Sequence, residues 1–167
     1  MGYFSQFPTF LAKISDRQKV VEDFFIRVAA GKNYTSSSVL LLSTYVMDGE
    51  RPEDVSYRFY GAADYHWVVL LVNNIVDPRI EWPFRDADVS TYTLRKYGSL
   101  TDNHHYQTVA GKHEISGYAN LLAQNIIEGV SNFDYELSIN EARRSIKILD
   151  PQYLNEFTMD LQHQVTA

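Results

Sequence analysis

Ser43-Thr44-Tyr45-Val46-Met47-Asp48-Gly49-Glu50-Arg51-Pro52-Glu53-Asp54-Val55 is the stretch on which the fold turns. Residues 39–47 are β-branched, Leu-rich and aromatic, which suits a strand that puts Tyr45 and Met47 on one face. Asp48-Gly49-Glu50 reads as a turn. Pro52 stands where a first helical residue tolerates the missing amide hydrogen, and Glu53 and Asp54 complement the positive helix end, so a helix is predicted from Pro52. Val55 and Phe59 lie four apart on its inner face, and Gly61 supplies a left-handed stop.

Moving toward the C-terminus, Asp64 is a candidate cap for a second helix. Its residues Trp67, Val68, Val69, Leu70, Leu71 and Val72 are apolar all round, so protein should cover nearly every side. Trp67, Leu70 and Leu71 are the expected centre of the core. Asn73-Asn74 ends this helix, and Asp77-Pro78 marks a turn, because the residue before proline is pushed out of the helical region. The pattern weakens over residues 85–140, which read as an insertion with a short helix at 89–97 and a polar, His-containing hairpin at 103–114. Tyr135, Leu137 and Ile139 alternate as a strand would, as do Ile146 and Ile148, with Lys147 pointing the other way. Asp150-Pro151 is a cap followed by a first helical residue, and Tyr153, Leu154, Phe157 and Leu161 then form one apolar stripe.

Toward the N-terminus, Ser15-Asp16-Arg17-Gln18 has the form of a capping box, with Val20, Val21, Phe24, Phe25 and Val28 on one helical face and Gly31 as a stop. Before it lies an aromatic arm containing Tyr3, Phe4, Phe7 and Phe10. Two fates are open to these rings, burial on the chain's own core or cover by a partner. No internal repeat is visible.

Composition narrows the function classes. At 167 residues, 45% hydrophobic and 22% charged, the chain has the balance of an ordinary folded domain. It has no cysteine, which removes thiol nucleophiles, thiolate zinc sites and iron–sulfur clusters. A net charge of -6 disfavours nucleic acid, since counterion release needs clustered Lys and Arg. The first residues lack a secretory signal pattern, and the longest apolar run, Trp67 to Val72, is too short to span a bilayer, so a soluble, unexported chain is expected. Aromatic residues make up 14%, with 12 Tyr and 9 Phe, a content suited to protein contacts because Tyr offers large area with a polar tip.

The run from Tyr45 through Arg51-Pro52-Glu53, Tyr60-Gly61, the Trp67-centred helix and Asp77-Pro78 resembles a LysM module, a strand, two short helices and a second strand. The combination is similar to the LysM-like core of the contractile-phage baseplate wedge protein 53 family. Asn140-Glu141-Ala142-Arg143-Arg144-Ser145-Ile146-Lys147-Ile148-Leu149, followed by a Pro-started helix, is similar to the segment that ends that family and would supply the second strand. The resemblance implies an α+β fold divided into an N-terminal aromatic arm and helix (1–38), a first core part (39–84), the insertion (85–140), a second core strand (141–150) and a C-terminal amphipathic helix (151–167).

By function, the resemblance implies a structural subunit of the virion tail baseplate, assembled in the host cytoplasm, without cofactor and not an enzyme. It would fasten neighbouring wedge subunits around the tail hub, next to the protein that initiates the sheath, with no nucleic-acid or membrane partner. Tyr3, Phe4, Phe7, Phe10, Tyr153 and Phe157 are the expected interface residues. The rival is a glycan-binding LysM module that uses Gly49, Glu50, Arg51 and Pro52 with Asp77, Pro78 and Arg79. In a glycan-binding LysM the first turn carries small Asp-Thr residues. Here Glu50-Arg51-Pro52 stands in their place, so glycan binding is expected to be absent or weak.

Candidate chemistry is sparse. His104-His105 and His113, with Asp102 and Glu114, carry metal-ligand side chains, but adjacent histidines on a strand point to opposite faces, so a solvated hairpin without metal is expected. His66 beside Trp67 reads as a boundary residue. Glu50, Glu53 and Asp54 gather at one helix start rather than across a cleft, which does not suit glycoside hydrolysis and suits a dipole role. A wall-degrading enzyme would need a catalytic constellation in the insertion, and none is present. Arg143-Arg144 reads as a solvated pair by default, and as an interface ion pair only if an acidic neighbour exists. Phosphate-binding loops and nucleophile elbows are absent.

Overall fold

Trp67, Val68 and Val72 on one side of a seven-residue helix and Val69 on the other are all buried, so this helix is covered on both flanks and the main unit assembles around it. The computed structural model describes residues 7–14, 17–23, 40–108, 114–115 and 127–166. Within it the chain is α+β and divides into two compact units, residues 1–82 with 145–167, and residues 83–144.

In the first unit β3 (Leu41–Tyr45) leads through a turn with Gly49 at φ 74° into α1 (Pro52–Tyr60). Pro52 occupies the first helical position, and Gly61 closes the helix at φ 71° with its N–H on Tyr57 O. The Ser56 hydroxyl, fully buried, donates to Ala62 O at 2.6 Å and holds that reversal. A 3-10 turn (Ala63–Tyr65) then enters α2 (His66–Val72). Asp64 is therefore not the cap of α2. It lies inside the preceding turn, and Tyr65 takes the cap position without a side-chain bond. A short α3 (Pro78–Glu81) follows, capped by Asp77.

The chain returns as β7 (Ser145–Leu149), antiparallel to β3 with Leu41 opposite Leu149 and Tyr45 opposite Ser145. Ile146 and Ile148 face the core while Lys147 is exposed, the alternation read from the sequence. Two apolar clusters fill the unit. Trp67, Val68 and Val72 join Leu41, Leu149, Leu154, Phe157 and Leu161, while Val69 joins Val46, Val55, Trp82, Ile146 and Ile148. Leu70 and Leu71 are half-buried and pack one on each cluster. Asp150 accepts from Gln152 N, a 3-10 turn (Pro151–Tyr153) follows, and α6 (Leu154–Thr166) lays the predicted stripe into the core.

The N-terminal helix reading is corrected where the structure describes it. β1 (Thr9–Ile14) and β2 (Arg17–Glu22) form an antiparallel hairpin with Phe10 opposite Val21 and Leu11 opposite Val20. β-branched Val20 and Val21 suit a strand as well as a helix face, and the facing strand decides between them. The rest of that expected helix, at Phe24, Phe25 and Val28, lies outside the described residues, as do Tyr3 and Phe4.

The second unit contains α4 (Asp86–Tyr97), a three-stranded antiparallel sheet in the order β5 (Glu114–Ile115), β4 (Asn103–Thr108), β6 (Ile127–Ser131), and α5 (Asn132–Arg144). Tyr135, Leu137 and Ile139 lie on this helix, which corrects the strand reading. The alternation was real, but the buried face of α5 is polar, namely Asn132, Glu136, Asn140 and Arg144 at steps of four. Hydrophobic periodicity cannot register such a face.

Candidate functional site

The two turns singled out as glycan-contacting loops are built from their own ion pairs and caps. Glu50 Oε2 accepts from Met47 N at 2.9 Å and from Arg58 Nη2 at 3.0 Å, and Arg58 Nε lies 2.9 Å from Glu50 Oε1. Arg58 Nη2 also donates to Tyr45 O at 3.2 Å. Arg51 N donates to Asp54 Oδ2 at 3.0 Å, so Asp54 serves the helix start. Trp82, buried, donates its indole N–H to Glu50 O at 2.8 Å. In the second turn, Asp77 accepts from Arg79 N, Nε and Nη2 at 2.9–3.0 Å. Those bonds, first the side-chain ones, hold the Asp77 carboxyl below its ordinary value. Val76 N and Asp77 N both donate to Glu81 Oε2, at 2.6 and 2.8 Å. The Val76 and Asp77 amides and the Glu50 and Asp77 carboxylates are thus hydrogen-bonded within the chain.

The other predicted site residues divide by burial. Phe7 is buried, and Phe10 is 44% exposed on the hairpin. Phe157 is buried and stacks on Trp67, while Tyr153 is half-buried against the same cluster. The hairpin also exposes Leu11 and Val20, which face each other across it.

The second unit holds the features that sequence reasoning missed. Each buried polar residue of α5 has a partner on or beside α4. Asn132 Nδ2 donates to Ser99 O at 3.1 Å, and Asn140 brackets Phe84, accepting from its N at 2.7 Å and donating to its O at 3.1 Å. Glu136 Oε1 accepts from Lys96 Nζ and Tyr97 Oη, both at 2.8 Å. Burial pushes the Glu136 carboxyl up, but those two bonds outweigh it and hold it below its ordinary value. Arg144 pairs with Asp86 at 2.6 Å and Glu141 at 3.1 Å. It is 3% exposed, so the solvated-pair reading does not hold for it. Its acidic neighbour Asp86 lies fifty-eight positions away in the same chain, so the pair is internal to the fold and not an interface pair.

The histidines are also corrected. A register shift between Asn103 and His105 breaks strict alternation, as a bulge does. Both rings therefore meet Tyr135, His104 stacked at 3.8 Å and His105 edge-on at 5.6 Å, with their Nδ1 atoms 2.9 Å apart. They are half-buried packing groups rather than a solvated pair. His113 lies outside the described residues. A polar cleft of about 410 Å³ opens beside His105, Glu128 and Asp134. Among the described residues no group of three or more His, Asp or Glu could hold a metal ion, and no helix is long and apolar enough to cross a membrane. His66 Nδ1 lies 3.0 Å from Ala63 O, a turn contact.

A family described as base plate wedge protein 53 matches residues 11–113. The chain is 22% identical over 161 residues to the baseplate wedge protein gp53 of Enterobacteria phage T4, covering 84% of this chain and 78% of that protein.

Proposed function

This chain belongs to the base plate wedge protein 53 family, and on that premise we propose that it is a structural, non-catalytic subunit of a phage tail baseplate that fastens neighbouring wedge subunits around the tail hub, beside the sheath initiator. The family match over residues 11–113 carries this reading. The internally spent turns support it over glycan recognition, because Trp82 takes the Glu50 carbonyl and Glu81 takes the Val76 and Asp77 amides. The core is read as LysM-like, with strand, two helices and returning strand kept and its sugar-facing turns sealed. Tyr3 and Phe4 of the arm and the exposed hairpin residues Phe10, Leu11 and Val20 are its contact surface.

The test is reconstitution of the full chain with the neighbouring wedge proteins of the same phage, read by size-exclusion chromatography, beside titration with chitin oligomers and peptidoglycan fragments. Stable co-elution and no saturable sugar binding are expected. Micromolar sugar binding at residues 49–52 and 76–79, without co-elution, would replace this reading by the glycan one. Removal of residues 1–6 is the truncation of choice, since buried Phe7 and the first residues of β1 belong to the folded unit. It is expected to weaken co-elution with little change in melting temperature.

A further inference from the structure

The β3–β7 sheet of the first unit has two edges, and they are treated differently. Asp150 N donates to Leu40 O at 2.9 Å, which in an antiparallel ladder makes Leu40 and Asp150 a hydrogen-bonded pair. Pairs alternate, so with the observed register Leu42 bonds Ile148 and Thr44 bonds Ile146. The backbone groups of Leu41, Ser43 and Tyr45 then point away from β7, and those of Ser145, Lys147 and Leu149 point away from β3.

The outer edge of β7 is closed by side chains. The Asn73 amide imitates a third strand, donating Nδ2 to Lys147 O at 2.7 Å and accepting from Lys147 N at 2.8 Å. The Tyr60 hydroxyl donates to Leu149 O at 3.1 Å. On the outer edge of β3, Arg58 reaches the Tyr45 carbonyl, but the outward N–H and C=O groups of Leu41 and Ser43 have no hydrogen-bond partner among the described residues. Ser43 is exposed there, and Leu42 is 42% exposed although its cross-strand partner Ile148 is fully buried.

Edge strands in isolated proteins are blunted by charge, proline or a bulge. Leu41-Leu42-Ser43-Thr44-Tyr45 contains no charged residue, proline or glycine, and its pairing with β7 is regular. We propose that the outer edge of β3 at Leu41 and Ser43 is a strand-addition site for an extended segment of a neighbouring protein. Backbone pairing supplies the hydrogen bonds, and an apolar side chain of the incoming segment covers Leu42. Residues of that segment on the opposite face lie beside Ser43 and Tyr45 and are polar or aromatic. The proposal rests on the assembly reading and names where on this chain one partner attaches.

Proline at position 43 tests it, because the Ser43 N–H serves no bond in the chain's own sheet, and proline is tolerated on edge strands. The full chain, its Ser43→Ala variant and its Ser43→Pro variant are each reconstituted with the neighbouring wedge proteins. Amide exchange at Ser43 is followed before and after assembly. Ser43→Ala is expected to assemble as the parent does, since recognition is through backbone. Ser43→Pro is expected to assemble about tenfold or more weakly, and the Ser43 amide to become protected in the assembled parent. If Ser43→Pro fails to fold, protection of the Ser43 amide in the parent decides alone. Equal assembly by the proline variant, or an amide that exchanges as fast in the complex as in the free chain, overturns strand addition and leaves the wedge reading standing. A parent chain that does not assemble at all overturns both.

Discussion

Trp67 on α2 and Phe157 on α6 stack with ring centroids 6.2 Å apart and planes inclined by 26°. The contact joins a helix near the middle of the chain to the last one, and both rings are nearly fully buried. Trp67→Ala or Phe157→Ala is expected to cost about 3–5 kcal/mol, a large part of a typical total of about 5–15 kcal/mol. Denaturant melts of both single variants and the double variant test this. Fully additive losses would show that the rings contribute only separate burial.

Asn73 stabilises β7 through both of its amide atoms and also donates to Val69 O at 2.8 Å. Asn73→Ala is expected to lower stability by about 1–3 kcal/mol and to bare a second sheet edge, favouring self-association. Light scattering against concentration, beside a thermal melt, reads both effects. An unchanged melt would mean that the β7 edge is held by other contacts.

Arg144 is buried against Asp86 and Glu141 and also donates to Phe84 O. Removing one member of a buried pair leaves its remaining partners poorly paired. Because both carboxylates are about half exposed and regain water, Arg144→Ala is expected to cost about 2–3 kcal/mol rather than the upper value for such losses. Arg144→Lys should recover only part, since an ammonium lacks the planar fork. Chemical denaturation of the three proteins checks the order, and a lysine variant equal to the parent would reduce the role to charge alone.

The Glu136–Lys96 pair sets the direction in which the second unit should respond to acid. The folded Glu136 carboxyl lies below its ordinary value, so its contribution is present above the unfolded pKa and is lost as pH falls through the lower folded one. Lys96, held above its ordinary value chiefly by its bond to Glu136, stays charged throughout that range. Melting temperature is expected to fall as pH drops below about 4, with a flatter course in Glu136→Gln. Parallel curves for the two proteins would remove Glu136 from the acid response.

Local chemistry in the sequence determined the turns and caps of the first unit. Gly49 and Gly61 take positive φ, Pro52, Pro78 and Pro151 open helical turns, and Asp77 and Asp150 cap the last two. Each acts within a few residues, so its effect needs no distant partner. The all-apolar run from Trp67 to Val72 likewise required burial, whatever covered it. The arrangement that marks the family was legible for the same reason, being carried by consecutive short-range signals.

Only the tertiary structure decided the rest. Val20 and Val21 suit a helix face or a strand, and the pairing of Thr9–Ile14 with Arg17–Glu22 selects the strand. The helix Asn132–Arg144 buries polar residues whose partners, Glu141 apart, lie about 33 to 60 positions away, so its buried face carries no hydrophobic period. One bulge sends His104 and His105 to the same tyrosine against the alternation of a regular strand. Satisfaction of buried polar groups and strand pairing are long-range conditions, and a sequence read locally contains the groups but not which of them meet.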